Sequence, residues 1–261
     1  MEFRTPSFTH DYHVHTRYSP DVKEGSFRDY CVIAEKEGIH IGFLDHFKIW
    51  KLNDPTYPLS REKIPQYLEE FDNVKSEFAD TSLGLEVDYY PEKLGALEEF
   101  LEDHRGEFDR FIGAVHIVFD EVASTLEGLK TLTMNYPLEK ICEEYLRMVE
   151  KAVESRLFDG IAHLDGIYRW IRRTNLSPVV DEGELLELGR LCKRRGVMVE
   201  LNIRSDSFPL KRILRRLLDE NTVFFVGSDS HSPEEFSRAL YRIKEANKLL
   251  QNHDLFLSRS P

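Results

Sequence analysis

Short apolar runs alternate along this chain with longer segments in which apolar residues recur every three or four positions. Six of the runs are as continuous as strands that are buried on both faces, and an N-terminal stretch with spaced apolar residues adds a seventh. We therefore predict seven parallel strands, at residues 8–16, 39–46, 82–90, 109–119, 157–164, 197–203 and 222–229.

The segments between these strands have the periodicity and the end signals of amphipathic helices. Ser26 is placed to cap the first helix, and Gly38 is placed to end it in a left-handed conformation. Pro65 is expected to kink or shorten the second helix. The predicted helices span residues 26–38, 60–78, 91–104, 137–155, 181–196, 209–220 and 232–250.

Strands that alternate with helices form right-handed βαβ units around a parallel sheet. Seven such units fit a closed or nearly closed α/β barrel, one unit short of the usual eight, and an open doubly wound sheet is the alternative. In both architectures the chemistry lies at the carboxyl ends of the strands. No linker or short repeat divides the chain, so we expect a single domain over residues 1–261.

Charge and composition argue against several classes of protein. The formal net charge of −12 opposes a protein that grips nucleic acid through its surface field. The three cysteines form no CxxC pair, which is typical of reduced thiols in a cytosolic protein. The chain has no apolar signal core and no run of membrane-spanning length. We expect a cytoplasmic protein with neither a nucleic-acid nor a membrane partner.

Histidine is unevenly placed along the predicted strands. Chance would put about one of the ten histidines at seven strand ends, but six lie there: His13, His15, His46, His116, His163 and His231. Glu86 and Asp229 share this placement. Any single imidazole could be a satisfied core residue, but several that converge without a metal would repel one another and bury unsatisfied polar atoms. The pattern therefore predicts a metal site, since imidazole and carboxylate bind zinc, manganese and iron.

The HVH stretch fits this prediction particularly well. Side chains two apart on a strand share a face, so His13 and His15 can bind one ion while Val14 faces the helices. The remaining histidines lie at strand starts, at helix ends or in the tail, and we predict that they are not ligands: His10, His40, His104 and His253.

The motifs of the chain resemble those of the polymerase and histidinol phosphatase (PHP) family, in the same order and over nearly the whole length. They are HVHTRYSPD, DH at 45–46, GLE at 84–86, GAVH at 113–116, AHLD at 162–165 and GSDSH at 227–231. GSFRDY, GLEVDYY and HLDGIYRW also look like the histidinol-phosphate phosphatase branch.

The resemblance implies a distorted, TIM-barrel-like (β/α)7 barrel that carries two or three zinc, iron or manganese ions. The implied ligand sets are His13, His15, Glu86 and Asp229 for the first ion, Glu86, His116 and His163 for the second, and Asp21, His46 and His231 for the third. Asp21 stands where some relatives carry a histidine. A carboxylate there makes the site harder and favours iron or manganese over zinc.

The resemblance also implies the chemistry. Two ions about 3.5–4 Å apart would hold a bridging hydroxide that attacks phosphorus. The third ion and cationic side chains would neutralise the phosphoryl oxygens in the transition state. The leaving oxygen needs an acid, for which Asp229 and His231 are the candidates.

Residues that contact the substrate are implied less directly. Arg169 matches a basic position of the phosphatase branch, where it would bind phosphate and serve catalysis, although a surface arginine is the alternative. Arg204 departs from the pattern, because relatives carry a short Ser/Thr/Gly run before the basic residue. Asp88 shares a strand face with Glu86 and could bind a substrate ammonium group. Two further carboxylates are expected to orient ligand imidazoles: Asp45 and Asp165.

The implied function is that of a metal-dependent phosphomonoesterase, a histidinol-phosphatase that hydrolyses the small molecule L-histidinol phosphate in histidine biosynthesis. A PHP-type phosphodiesterase or nuclease is the first alternative, which the acidic charge opposes. A non-catalytic, metal-binding regulatory module is the second. It is opposed because every expected ligand position is occupied.

Overall fold

The computed structural model of the chain describes residues 9–204 and 208–251. Within them lie nine strands, β1 to β9, at His10–Val14, His40–Phe47, Thr81–Asp88, Arg110–Ala114, Ile117–Val118, Glu121–Val122, Gly160–Ile161, Met198–Asn202 and Phe224–Gly227. Nine α-helices, α1 to α9, lie at Phe27–Glu37, Ile64–Glu77, Leu94–Asp103, Leu126–Asn135, Leu138–Ser155, Gly166–Arg172, Glu182–Arg195, Phe208–Asp219 and Pro233–Gln251. None of the described helices is long and apolar enough to cross a membrane.

Seven of the strands form one parallel sheet in the order β1-β2-β3-β4-β7-β8-β9. Its two ends meet through a parallel bridge between Val14 and Ser230. The His15 N–H donates to the Ser230 carbonyl at 2.9 Å, and the Asp229 N–H donates to the His13 carbonyl at 2.7 Å. The sheet therefore closes into a distorted TIM-like barrel, which confirms the predicted fold and rules out the open sheet.

All seven predicted strands are present, although several are shorter than their apolar runs, and the run 109–119 is interrupted. The run 109–119 forms β4 only as far as Ala114, and its last residues, Ile117–Val118, pair with Glu121–Val122 in an antiparallel hairpin. The continuous apolar pattern conceals this break because both segments are packed against the core. His116 lies in the break, where the chain leaves the barrel wall.

The helix ends follow local chemistry. Ser26 and Asp29 form a reciprocal capping box at the start of α1, and Gly38 ends that helix with φ 64°. Pro65 lies in the first turn of α2, where its missing N–H is not needed, and the helix begins at Ile64, so it is shorter than the predicted 60–78. Two helices, α4 and α6, were not predicted from the sequence; both lie in loops at the carboxyl end of the barrel.

The apolar side chains form two layers, one on each side of the barrel wall. The larger layer lies between the sheet and the surrounding helices. A smaller cluster fills the barrel interior. Its residues lie on the strands or directly after β7: Tyr12, Leu44, Ile112, Ala114, Ala162, Met198 and Phe225. Above this plug the interior is lined by polar side chains, which is where the predicted ligands lie.

An irregularity in β1 changes the face on which its side chains point. The pairing of β1 with β2 shifts register between Asp11 and Val14. Tyr12 therefore lies in the inner apolar cluster and the next residue, His13, also faces the interior, whereas regular alternation would separate them. Asp11 stabilises the bulge, since its Oδ1 accepts the N–H groups of His13 at 3.1 Å and Ser228 at 2.9 Å.

Candidate metal centre

The predicted ligands converge at the carboxyl end of the barrel. Most of them are buried although they are polar, and each comes from a strand end or from the loop that follows: His13, His15, Asp21, His46, Glu86, His116, His163, Asp229 and His231. Asp21 is the exception in exposure, since about half of its side chain, 52%, is accessible. We refer to these nine residues as the ligand cluster.

Glu86 lies at the middle of the ligand cluster and is only 1% exposed. Its Oε2 lies 2.6 Å from His46 Nδ1, and its Oε1 lies 2.8 Å from His163 Nε2. Three more imidazoles approach within 3.6–3.7 Å of the same carboxylate: His13, His15 and His116. The two oxygens of Glu86 thus face different groups of histidines, as a carboxylate that bridges two ions must.

A second carboxylate, Asp229, closes the opposite side of the ligand cluster. Its Oδ1 lies 3.4 Å from His15 Nε2 and 3.5 Å from His231 Nδ1. Asp21 completes this side, with Oδ2 at 3.0 Å from His231 Nε2 and 3.4 Å from His46 Nε2. The loop after β1 therefore brings Asp21 to the end of β2 and to the loop after β9.

Two members of the ligand cluster have left-handed backbone. The φ angles are 32° for His163 and 54° for Asp229. Such angles are unfavourable for residues other than glycine and occur most often at functional sites. The surrounding hydrogen bonds hold them, because the N–H of His163 donates to Glu200 Oε2 at 2.6 Å.

The carboxylates of the cluster stay ionised. Burial alone would raise the pKa of Glu86, but the imidazoles of His46 and His13 hold this pKa well below its ordinary value. Burial likewise opposes ionisation of Asp229, and a hydrogen bond with His15 and the charge of Arg204 lower its pKa well below the usual range. Ionised carboxylates are the form that binds metal.

The imidazoles are pulled in opposite directions. Burial and the neighbouring His231 and His46 lower the pKa of His15 well below its ordinary value. Burial also disfavours a charge on His46, yet Glu86 and Asp21 raise the pKa of His46 to about 10. Two neighbouring rings of one site therefore differ in their affinity for a proton. Metal ions that bind here would take the place of protons on these rings.

Glu200 on β8 lies behind the ligand cluster and was missed by the sequence analysis. It is fully buried, and its Oε1 lies 2.7 Å from His13 Nδ1. A carboxylate at this nitrogen orients the ring so that Nε2 faces the other ligands. The available signal was an acidic residue inside the otherwise apolar run VMVELNI.

The two carboxylates that were expected to orient imidazoles make different contacts. Asp45 accepts hydrogen bonds from the Thr16 N–H and from Ser19 Oγ, both at 2.7 Å, and Ser19 Oγ lies 3.0 Å from His15 Nδ1. Asp45 thus reaches the imidazole through Ser19. Asp165 is buried and accepts the N–H of Leu210 at 3.1 Å, which ties α8 to the loop after β7.

Asp88 contacts side chains of the protein itself. Its Oδ1 makes a short hydrogen bond with His116 Nδ1, and its Oδ2 lies 3.5 Å from Lys48 Nζ. We expected this carboxylate to meet a substrate ammonium group. In the structure it holds an imidazole of the ligand cluster, which its position two residues after Glu86 on the same strand face allows.

Two arginines border Asp229. Arg169 on α6 is buried, donates to Asn202 Oδ1 at 2.8 Å and lies 3.6 Å from Asp229 Oδ2. Arg204 lies 3.1 Å from Asp229 Oδ1 and 2.7 Å from His231 Nδ1. Arg204 therefore reaches the site although its motif departs from the family pattern. Asn202, which the sequence analysis did not select, positions Arg169.

The histidines predicted to be non-ligands lie elsewhere where the structure describes them. His10 is inside the barrel near its amino end, and its Nε2 accepts the N–H of Val226 at 3.2 Å. His40 Nε2 lies 3.0 Å from Ser82 Oγ, and His104 pairs with Glu107 at the end of α3. His253 lies outside the described residues.

Proteins similar to this chain match it over nearly its whole length. A curated relative from Deinococcus radiodurans, described as "Probable histidinol-phosphatase", is 28% identical over 258 residues, which cover 93% of this chain and 92% of the relative. The crystal structure of histidinol phosphate phosphatase from Lactococcus lactis, complexed with zinc, L-histidinol and phosphate, has a TM-score of 0.74 at 22% identity and covers 95% of this chain and 94% of that one.

A second solved structure, from Listeria monocytogenes, has a TM-score of 0.74 at 17% identity and covers 89% of this chain and 99% of its own. These structural likenesses support the barrel fold. Residues 11–204, about three quarters of the chain, match the family described as PHP domain. The chain therefore belongs to the PHP domain family.

Proposed function

We propose that this protein is a metal-dependent phosphomonoesterase that hydrolyses L-histidinol phosphate to L-histidinol and inorganic phosphate, a step of histidine biosynthesis in the cytoplasm. The observation that carries the proposal is the convergence of histidines from five strand ends on Glu86 and Asp229, with two arginines beside Asp229. The relative from Deinococcus radiodurans supports the choice of substrate, since it matches over nearly the whole chain.

The donor set fits metal ions. Three groups of ligand atoms each lie within 4.8 Å of one another: His15, His46 and His231; His13, His15 and Asp229; and His46, Glu86 and His116. His163 Nδ1 is buried, and no described residue hydrogen-bonds to it. Buried polar atoms without partners are costly, so ions that bind them would stabilise the site.

We assign the ligands to three ions. His13, His15, Glu86 and Asp229 would hold the first, Glu86, His116 and His163 the second, and Asp21, His46 and His231 the third. Imidazole and carboxylate together suit zinc, iron and manganese. The carboxylate of Asp21 makes the third set harder, which favours iron or manganese there.

When bound, the ions would supply a nucleophile from water at neutral pH and positive charge for the phosphoryl oxygens. Arg169 and Arg204 present guanidinium groups from two elements beside Asp229, where they can bind phosphoryl oxygens and neutralise their charge in the transition state. Glu200 and Asp88 hold the rings of His13 and His116 in place during the reaction. The leaving alkoxide needs a proton. Asp229 is ionised and has none to give, so His231 is the remaining candidate for the acid.

The proposal is tested with purified protein loaded with zinc, manganese or iron. We expect release of phosphate from L-histidinol phosphate and loss of this activity on chelation. His13→Asn should lower kcat by about a thousandfold or more, because one ligand of the first ion is lost. His104→Asn, which changes a histidine outside the ligand cluster, is the matched control and should keep full activity.

Two results would contradict the proposal. One is a His13→Asn variant that keeps most of its activity and its metal content, measured by elemental analysis. The other is faster cleavage of a diester such as bis(p-nitrophenyl) phosphate than of L-histidinol phosphate, which would assign the protein to the phosphodiesterases.

A further inference from the structure

Beyond the ligand cluster, the barrel mouth carries side chains that the proposed chemistry leaves without a role. Lys48 lies two positions after His46, and Tyr90 lies two positions after Asp88. Both residues have extended backbone, with φ and ψ of −125° and 109° for Lys48 and −138° and 103° for Tyr90. Side chains two apart in an extended chain share a face, so both lie on the side of the ligand cluster, one layer further out.

These side chains form a continuous row that we call the mouth row: Lys48, Trp50, Tyr90 and Asp120. Lys48 Nζ lies 3.5 Å from Asp88 Oδ2 and 5.9 Å from the centre of the Trp50 ring. The rings of Trp50 and Tyr90 lie 5.1 Å apart at 51°. Tyr90 Oη donates to Asp120 Oδ1 at 3.3 Å. Since Asp88 also contacts His116, the row begins at the ligand cluster and ends at an exposed carboxylate.

The position of Asp120 depends on an unfavourable turn. Asp120 and Phe119 form the tip of the β5–β6 hairpin with φ angles of 62° and 49°. A bulky residue such as phenylalanine rarely adopts this left-handed conformation. The Phe119 ring stacks on Tyr136 with centroids 4.1 Å apart, which holds the tip in place. The hairpin starts one residue after His116, so the conformation of its turn fixes the position of Asp120 with respect to the ligand cluster.

The chemistry of the mouth row changes along its length. The ammonium group of Lys48 lies at the inner end, where it attracts an anion such as a phosphoryl group. The rings of Trp50 and Tyr90 in the middle are partly exposed, so they can contact a planar or cationic group. The carboxylate of Asp120 at the outer end attracts positive charge. A molecule that fits is anionic at one end and carries a flat, positively charged group at the other.

We propose that Trp50, Tyr90 and Asp120 form a leaving-group subsite that selects phosphomonoesters of planar, positively charged alcohols. The inference rests on the proposed function and deepens it, because L-histidinol carries both an ammonium group and an imidazole ring. Lys48 bounds the subsite on the phosphate side. A neutral polyol would leave the carboxylate and the rings without a matching partner.

The test compares two variants and four substrates in the metal-loaded full-length protein. Asp120→Asn removes the charge but keeps a residue that tolerates left-handed backbone and can still accept from Tyr90. Trp50→Leu removes one aromatic face. Asp219→Asn, an exposed residue at the end of α8 on the opposite end of the barrel, is the matched charge control. The substrates are L-histidinol phosphate, phosphoethanolamine, phenyl phosphate and glycerol 3-phosphate.

We expect the variants to change selectivity. In Asp120→Asn, kcat/KM for phosphoethanolamine relative to glycerol 3-phosphate should fall about five- to tenfold, through KM. In Trp50→Leu, kcat/KM for phenyl phosphate relative to glycerol 3-phosphate should also fall about five- to tenfold. Both variants should lose selectivity for L-histidinol phosphate. A loss that is equal for all four substrates, or ratios that match those of Asp219→Asn, would overturn the subsite.

Failure of the proposed function would look different. If wild-type protein cleaves L-histidinol phosphate no faster than glycerol 3-phosphate, L-histidinol phosphate is not the substrate. The subsite would still be tested by the ratios of kcat/KM for phosphoethanolamine and for phenyl phosphate to that for glycerol 3-phosphate. Calorimetric titration with L-histidinol alone tests the subsite without turnover. Asp120→Asn should weaken this binding, and equal affinity in the variant and in wild-type protein would overturn the proposal.

Discussion

At the scale of single residues, the site depends on side chains that stand one step behind the ligand cluster. Glu200 is fully buried, and it contacts both the ring of His13 and the backbone of His163. The room for its carboxylate comes from Gly227 on the neighbouring strand. A Cβ at that position would lie 2.0 Å from Glu200 Oε1 and 2.7 Å from the Cβ of His13. The ligand geometry therefore requires a residue without a Cβ at position 227.

Gly227→Ala tests this requirement. We expect the added methyl group to displace Glu200 and to turn the His13 ring, which should lower metal affinity or kcat/KM by about 10–100-fold. Overpacking should also lower the free energy of unfolding by about 1–3 kcal/mol. Activity assays and urea unfolding measure the two effects.

Gly95→Ala is the matched control, because nothing lies within 4 Å of a Cβ at Gly95 near the start of α3. This variant should be fully active and as stable as the wild-type protein, or slightly more stable. If Gly227→Ala behaved in the same way, the close approach of Glu200 would not be required for the site.

At the scale of elements, β1 serves two environments within five residues. Its amino end lies inside the barrel, where the ring of His10 contacts the ring of Tyr12 at a tilt, with centroids 4.4 Å apart. On α9, the side-chain amide of Asn247 accepts the N–H of His10 at its Oδ1 and donates from its Nδ2 to the His10 carbonyl. After the bulge, His13 and His15 enter the ligand cluster. The same residue type is thus a buried structural group at one end of the strand and a candidate ligand at the other.

This difference predicts a pH effect on stability. Burial, then His40 and Arg110, lower the pKa of His10 from 6.5 to about 3 in the folded protein. Below pH 6.5 the unfolded chain therefore takes up a proton that the folded protein does not, and stability falls as the pH falls. From pH 7 to pH 5 this one group should remove about 2 kcal/mol from the free energy of unfolding.

His10→Gln provides the comparison, since glutamine can accept the N–H of Val226 but does not titrate. We expect metal-free wild-type protein to lose about 2 kcal/mol more than His10→Gln between the two pH values in urea unfolding. Equal losses would mean that His10 is not kept neutral by the fold.

At the scale of the whole molecule, closure of the barrel assembles the ligand cluster. The cluster joins residues from the first strand and its loop with residues after the last strand of the sheet. Asp21 and His231, for example, are 210 positions apart and lie 3.0 Å from each other. The bridge between Val14 and Ser230 provides this proximity. Metal ions bound here would link the two ends of the sheet.

We therefore expect metal to stabilise the folded protein. Each site filled at 100 times its Kd should add about 2.7 kcal/mol, because the assembled ligands exist only in the folded state. Thermal unfolding of chelated protein should shift to a higher Tm when zinc or manganese is added. His13→Asn should show a smaller shift than wild-type protein, and His104→Asn the same shift as wild-type protein. A Tm that does not respond to metal would contradict a metal centre at the barrel mouth.

Local patterns carried much of the prediction. The alternation of apolar runs and amphipathic segments predicted all seven barrel strands, since burial on both faces leaves a pattern that needs no tertiary information. The capping residues of α1 were equally local. The break at His116 and the helices α4 and α6 were not predicted. The apolar run 109–119 continues across the break, and α6 has only seven residues, which is too short for a clear apolar period.

The sequence by itself determined seven parallel βα units and the presence of many ligand-type side chains at the carboxyl ends of their strands. Strand order follows chain order in this fold, and parallel strands all end at the same rim. Only the tertiary structure decided which groups meet. It placed Glu200 behind His13, gave Asp88 to His116 and Lys48, and brought Arg204 to Asp229. These contacts depend on the bulge in β1, on the missing Cβ at Gly227 and on the directions of side chains from neighbouring strands. None of these features produces a periodic pattern in the sequence.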